Sequence, residues 1–333
     1  MSSPSRWFSP VTNAHNHTVL FRLGGAVVAT YGPVMGLALF FGFAQGAWYL
    51  GYSGGDAGWM ARYSLLAVFP AVVIGCRLAS LMLDLDELKS NPVRALLKPG
   101  FMLQGGIIGG ATAMLIGAYR QGIDPLLLLD TAAFTMPLSE ALGRLGCHVY
   151  GCCWGRPTRI FPGLRYTDRE SKVLRCRPEL HDVPLHAAPL YTSMVSLALL
   201  AAFAVMLEMP RNLGVFAGVY LCVHPILRFG LEHFRDDDRG RFGSLTHSKL
   251  YAILLFMAGC IVLFISHTRG IPAQINTAVS FWQVVRAQFW PLFGIAVAGF
   301  FVFGVHRGRV GTWLGNHDAA DGDTGCDTGC DAA

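Results

Sequence analysis

Eight apolar stretches dominate the chain, at about 25–50, 62–84, 101–120, 125–146, 187–208, 212–233, 248–267 and 283–305. A helix that crosses a bilayer needs roughly 20 mostly apolar residues in a row. Only 14% of the 333 residues are charged, against about 25% in soluble globular chains. The pattern predicts an all-α integral membrane protein, a polytopic bundle of about seven to eight transmembrane helices. Glycine, proline and lone polar residues interrupt the first five stretches. Such breaks are tolerated at membrane depth where protein or water satisfies the freed backbone.

The rest of the chain divides around these stretches. Residues 1–24 are polar and lack a short apolar core followed by a small-residue cleavage site, so no cleavable signal is expected. A transmembrane domain is predicted over 25–267, a linker over 268–282 and an additional span over 283–305. The tail, 306–333, is low in complexity, acidic and carries a repeated DTGC with Cys326 and Cys330. It is expected to be disordered. Net charge is +5, and the loop at 148–186 is rich in arginine. Two readings fit that loop: contact with anionic headgroups and ordinary cytoplasmic anchoring.

Ionisable residues inside spans are costly and mark candidate sites. Glu140, Arg144 and His148 fall at i, i+4 and i+8, and Arg228, Glu232 and Arg235 at i, i+4 and i+7. Each set shares one helix face. Arg77 lies inside the second stretch, with Asp84 two turns on. Guanidinium groups bind phosphate through a fixed fork of donors, so two converging arginines suit a phospholipid phosphate. The same residues also fit structural ion pairs within the bundle. Gln104, Gly105 and Gly106 open a glycine-rich segment that ends at Gly109 and Gly110. Close helix packing and backbone exposed to a headgroup are both open to it. Tyr31-Gly32-Pro33 is a similar polar-tipped break.

The segment GRLGCHVYGCCWGRP, residues 143–157, carries Cys147, His148, Cys152 and Cys153. Adjacent cysteines without a CxxC pair match zinc spacings poorly. Packing and a reactive thiol near Arg144 are the other readings. No metal, no cofactor and no nucleic-acid partner is expected.

These motifs resemble the prolipoprotein diacylglyceryl transferases, whose signature is roughly G-R-x-G-N-F-x-N-G-E-x-x-G. The resemblance runs over about 25–267, in order, through Tyr31-Gly32, GCRLASLML (75–83), LQGGIIGG (103–110), GRLGCHVYGCCWGRP, LHAAPLYTS (185–193), RFGLEHFRDDD (228–238) and GSLTHSKL (243–250). It implies transfer of a diacylglyceryl group from phosphatidylglycerol to the thiol of a prolipoprotein lipobox cysteine. The product would be a thioether, with glycerol phosphate leaving. It also implies a multi-pass protein of the bacterial plasma (inner) membrane with an outward active face, in contact with membrane lipids. Arg144 and Arg228 would be the essential pair, with Glu232 orienting Arg228 or its partner substrate. Tyr31, Gln104, Gly105, Gly106, Cys147, Cys152, Gly155, His186, Tyr191 and Arg235 would line the substrate site.

The chain departs from the family pattern at particular positions. Gln104 stands where the family has histidine, Cys147 where it has asparagine, and Cys152 and Thr192 where it has glutamate. Glutamine cannot act as a general base, so His148 or His186 would have to take a thiol proton. The phosphate half of the site keeps its arginines, while the acceptor half is rebuilt. A divergent phospholipid-dependent transferase with another acceptor is the alternative, followed by a non-enzymatic lipid-binding protein and a thiol or metal protein. An outward amino terminus puts the basic loop 148–186 outside, against the positive-inside rule. The family orientation is adopted because functional arginines distort such counts.

Overall fold

The computed structural model describes residues 17–83, 85–97, 102–159, 163–236, 241–242, 245–307 and 310. Asp84 and the tail with Cys326 and Cys330 lie outside the described residues. Two strands, β1 (Val19–Leu23) and β2 (Ala26–Ala29), precede the first long helix, α1 (Tyr31–Tyr52). The apolar run from residue 25 therefore begins as strand. Gly24 takes φ +56° to turn the hairpin, and the β-branched Val27 and Val28 suit its second strand.

Next come α2 (Ala57–Tyr63), a π-helical turn (Ser64–Val68) and α3 (Phe69–Leu83). Ala57–Met82 acts as one long apolar run. The short α4 (Leu85–Ser90) and α5 (Pro92–Leu97) lead to α6 (Leu103–Gln121) and α7 (Pro125–Tyr150). The loop after α7 holds β3 (Gly163–Leu164), α8 (Lys172–Cys176), a 3-10 turn (Pro178–Leu180) and β4 (Leu185–His186). Then follow α9 (Ala188–Met206), α10 (Val215–Glu232), the β5 (Arg241–Phe242) and β6 (Leu245–Thr246) hairpin, and α11 (His247–Arg269). The chain continues through α12 (Phe281–Ala287), α13 (Phe289–Gly304) and β7 (Val305–Arg307). β7 joins β2 to complete a three-stranded antiparallel sheet.

Among the described residues six helices are long and apolar enough to cross a membrane, or seven if α12 and α13, bent by 79°, count as one span. The protein is a polytopic helical membrane protein. The stretch expected at 101–120 is α6, which is not among the six. Its five glycines at 105, 106, 109, 110 and 117 and its polar Gln104, Arg120 and Gln121 dilute its apolar content. The surface is inverted relative to a soluble protein. Leu66 is 76% and Phe264 69% exposed, while Arg144 is only 4% exposed. That distribution suits hydrocarbon outside and polar groups satisfied within.

Small residues set the helix contacts. On α3 and α6, Ala71 and Gly75 face Gly105 and Gly109; a Cβ on Gly105 would sit 2.1 Å from the Gly75 carbonyl oxygen, and one on Gly109 would sit 2.3 Å from that of Ala71. This is close small-residue packing of the kind membrane helices use. α1 packs on one side against α13, where Gly32 meets Gly304, and on the other against α7. On α7, Thr131, Thr135 and Ser139 donate their hydroxyls to carbonyls four residues back. Thr135 and Ser139 can then lie against Gly46 and Gly42 of α1.

A carboxylate ties α7 to the start of α10. Asp130, fully buried, accepts backbone N–H bonds from Gly214 (2.7 Å) and Ala217 (2.9 Å). The first amides of a helix have no partner within the helix, and an anion there also complements the helix dipole. Asp124, which caps α7 by accepting from the Leu126 N–H, also takes both arms of the Arg269 guanidinium. Arg269 lies at the end of α11, so the same residue joins a third helix to the bundle.

Candidate functional site

Two helices build the polar centre. The i+4 spacing on α7 puts Glu140 and Arg144 on one face, and Arg144 Nη2 lies 3.3 Å from Glu140 Oε1. From α10, Arg228 Nη1 approaches the same oxygen at 3.8 Å. The other oxygen, Oε2, accepts from Ser196 Oγ of α9 at 3.0 Å and meets His224 Nε2 at 3.0 Å. One carboxylate thus holds two arginines, a histidine and a hydroxyl drawn from three helices. Tyr220 stacks on His224, with ring centroids 4.8 Å apart. A narrow recess beside the centre is lined by Glu140, Thr192, Ser196, His224 and Arg228 with apolar Val195, Leu227 and Leu231. Buried charges at this depth require such pairing.

The end of α7 forms the second part of the site. Gly151 adopts φ +73° and its N–H bonds back to the Cys147 carbonyl, which stops the helix. Glycine is favoured in this left-handed cap. The turn folds Cys152 and Cys153 back onto Cys147, so the three sulfurs lie within 4.8 Å of one another. Arg144 Nη1 is 3.6 Å from Cys153 Sγ. Tyr31 and Tyr150 pack against the cysteines, with their rings 5.4 Å apart.

The loop beyond wraps toward the end of α10. Gly155 pairs with Arg235 in a short antiparallel bridge. Arg156 donates through Nε to the Arg235 carbonyl at 2.8 Å. The Arg235 side chain is buried and close enough to Arg144 to repel it. A Cβ on Gly155 would lie 2.2 Å from the His186 carbonyl oxygen, so only glycine lets these segments meet. His186 Nδ1 lies 3.4 Å from the Tyr191 hydroxyl, and both rings contact Phe234.

The candidates read from the sequence therefore fall into separate groups. Arg144 and Arg228 meet at Glu140. Cys147 and Cys152 adjoin them through Cys153. Gly155, His186, Tyr191 and Arg235 form the adjacent loop wall, and Tyr31 covers the cysteines. Glu232 closes α10 one turn after Arg228. His148 is half-buried on the last turn of α7, and its Nδ1 finds no hydrogen-bond partner among the described residues. Gln104, Gly105 and Gly106 begin α6, where the two glycines press against Gly75, Ala79, Val72 and Cys76 of α3. The Gln104 Oε1 is buried without a partner among the described residues.

Glu140 was visible in the sequence as the i−4 neighbour of Arg144, but its place at the hub was not. His224 was missed altogether, although Tyr220, His224, Arg228 and Glu232 follow one another at i+4 steps. That periodicity could have flagged it. Ser196 carried no signal, because a serine in an apolar helix usually serves local bonding.

The fold and this centre define a multi-span membrane protein that gathers cationic side chains around one buried carboxylate. The chain belongs to the prolipoprotein diacylglyceryl transferase family: the family model described as "Prolipoprotein diacylglyceryl transferase" matches residues 18–265. It is a transferase-family protein by that membership. Among relatives, the phosphatidylglycerol–prolipoprotein diacylglyceryl transferase of Clostridium tetani is 25% identical over 198 residues, 59% of this chain and 77% of that protein. The second such protein of Clostridium perfringens is 26% identical over 171 residues, 51% of this chain and 64% of its own length. The one from the Wolbachia of Culex pipiens is 26% identical over 254 residues, 73% and 92% respectively. For the Clostridium perfringens protein the match thus spans just under two thirds of its length.

Proposed function

We propose that this protein transfers the diacylglyceryl group of phosphatidylglycerol to the thiol of a prolipoprotein lipobox cysteine. The observation that carries the reading is the pairing of Arg144 and Arg228, from different helices, at Glu140. Arg144 and Arg228 share the one Glu140 carboxylate, which leaves one positive charge among these three groups. A phospholipid phosphodiester carries one negative charge, so its headgroup matches that surplus.

In the proposed reaction the thiol sulfur attacks the glyceryl carbon that bears the phosphate ester. The C–S bond forms as the C–O bond breaks, and glycerol phosphate leaves with the electron pair. The thiol proton passes to a base and then to water. Arg144 and Arg228 stabilise the charge that grows on the departing phosphate, and fixed cations in a water-poor site do this effectively. His148, whose Nδ1 has no hydrogen-bond partner among the described residues, is the candidate base, with His186 as the other. Tyr31, Gly155, Tyr191 and Arg235 shape the site, and Gln104, Gly105 and Gly106 are proposed to contribute from α6. The site is proposed to open on the outer face of a bacterial plasma membrane.

A second reading rests on the thiol cluster and on Gln104, which stands where the family pattern has histidine. In it the same lipid half serves a different acceptor. One experiment separates the two. Purified protein in detergent is given labelled phosphatidylglycerol and a lipobox cysteine peptide, with Arg144→Ala as control. A diacylglyceryl thioether that disappears in Arg144→Ala supports the first reading. Glycerol phosphate released without thioether, in membrane extract, supports the second. Neither product would sink both and leave lipid binding without turnover.

A further inference from the structure

We propose that Cys147, Cys152 and Cys153 form a three-thiolate site for a soft, thiophilic cation of the Cu(I) class. The linear spacing argued against a metal, because no CxxC pair is present. Folding changes that. The left-handed cap at Gly151 brings three thiols that form no disulfide together, with all sulfurs within 4.8 Å. The three residues are 1%, 2% and 0% exposed.

Geometry, ligand type and charge select the cation. Three sulfurs bonded at about 2.3 Å around a trigonal centre are about 4.0 Å apart, so closure needs a shift of roughly 0.8 Å at most. The cluster contains no oxygen ligand, which disfavours Mg²⁺, Ca²⁺ and Mn²⁺. Structural zinc takes four ligands, and this nest supplies three. Soft thiolates favour Cu(I). Binding releases three thiol protons to water and involves no change of oxidation state. Cu(I) with three thiolates carries two negative charges. The Arg144 guanidinium, 3.6 Å from Cys153 Sγ, and the nearby Arg235 offset them.

Cys153 itself adopts φ +59°, a conformation that normally selects glycine or asparagine. A cysteine there keeps its thiol in the nest at a backbone cost. The proposal does not depend on the lipid chemistry, although an occupied cluster would draw Arg144 toward sulfur and away from a phosphate.

The test titrates the full-length protein, reduced and oxygen-free in detergent, against Cu(I) held by bathocuproine disulfonate. One Cu(I) per chain should leave the chelator. Uptake should vanish in Cys152→Ser and Cys153→Ser. It should persist in Cys222→Ser/Cys260→Ser, which removes a neighbouring thiol pair on α10 and α11. X-ray absorption of the loaded wild-type protein should show three sulfur neighbours and no nitrogen. That measurement needs no variant, so a misfolded mutant cannot decide the outcome. No uptake by the wild type, uptake that survives loss of Cys152 and Cys153, or a nitrogen-containing first shell would each overturn the proposal.

Discussion

His224 Nε2 stands 3.0 Å from Glu140 Oε2. This contact fixes α10 against α7 at the level where Arg144 and Arg228 converge. The histidine occupies one carboxylate oxygen and leaves the other to the arginines. Glu140 is therefore the part on which the centre most depends.

Glu140→Gln should leave the buried Arg144 without its counter-charge. Removing one partner of a buried ion pair costs about 3–5 kcal/mol, so thermal unfolding in detergent should shift well down. Turnover in the proposed assay should fall by about 100-fold or more, the scale set by losing a preorganised charge-stabilising group. A variant with wild-type stability and turnover would remove Glu140 from the hub.

Arg144→Lys keeps the charge but loses the fork that reaches Glu140 and Cys153 together. Lysine is a point charge with different geometry. The variant should fold and insert in membranes yet turn over phosphatidylglycerol at least about tenfold more slowly. Equal rates for lysine and arginine would mean that charge alone suffices.

Asp130→Ala should act on stability rather than on the chemistry. It strips acceptors from the Gly214 and Ala217 amides at the buried start of α10. Each unsatisfied buried group costs about 1–3 kcal/mol. The melting temperature should drop, while lipid selectivity of the surviving folded protein stays unchanged. A change in selectivity at constant stability would contradict this assignment.

Gly105→Leu should separate α3 from α6, since even a Cβ would lie 2.1 Å from the Gly75 carbonyl oxygen. Cysteine cross-linking between the two helices, measured in membranes, should fall sharply. Unaltered cross-linking would show that the contact can relax.

His306 should make stability depend on pH. Burial first, and then the neighbouring Arg175 charge, lower its pKa to about 4. The unfolded chain takes up a proton near pH 6.5, and the folded one only near 4. Between these values the unfolded state binds more protons, so stability rises with pH and falls on acidification. The full effect is about 3 kcal/mol as an upper bound. His306→Gln should flatten the unfolding profile between pH 7 and 4.5. A variant with the wild-type slope would assign the dependence elsewhere.

Much of the bundle was legible because membrane helices announce themselves by length and apolarity. Where the sequence reading slipped, a neighbour in space decided the outcome. Val27 and Val28 became strand because β7 arrives from the other end of the described chain to pair with them. The last apolar stretch bends by 79° between α12 and α13, and α13 packs along α1 through Gly32 and Gly304. The i+4 spacing of Glu140 and Arg144 was visible because both lie on one helix. His224 and Ser196 come from other helices, so no local periodicity could join them to Glu140.

By itself the sequence determined that the chain must be a membrane-embedded helical bundle, since its apolar stretches have no other stable environment. It also set the arginine-bearing helix faces, because a 3.6-residue repeat fixes which side chains share a face. Only the tertiary structure decided what those faces meet. Glu140 gained two arginines and a histidine through the approach of α7 to α10. The close contact of Gly105 with Gly75 turned those glycines into a helix interface. The three cysteines became a cluster through one left-handed turn at Gly151. Such contacts depend on the relative placement of whole helices, and no short stretch of sequence encodes that placement.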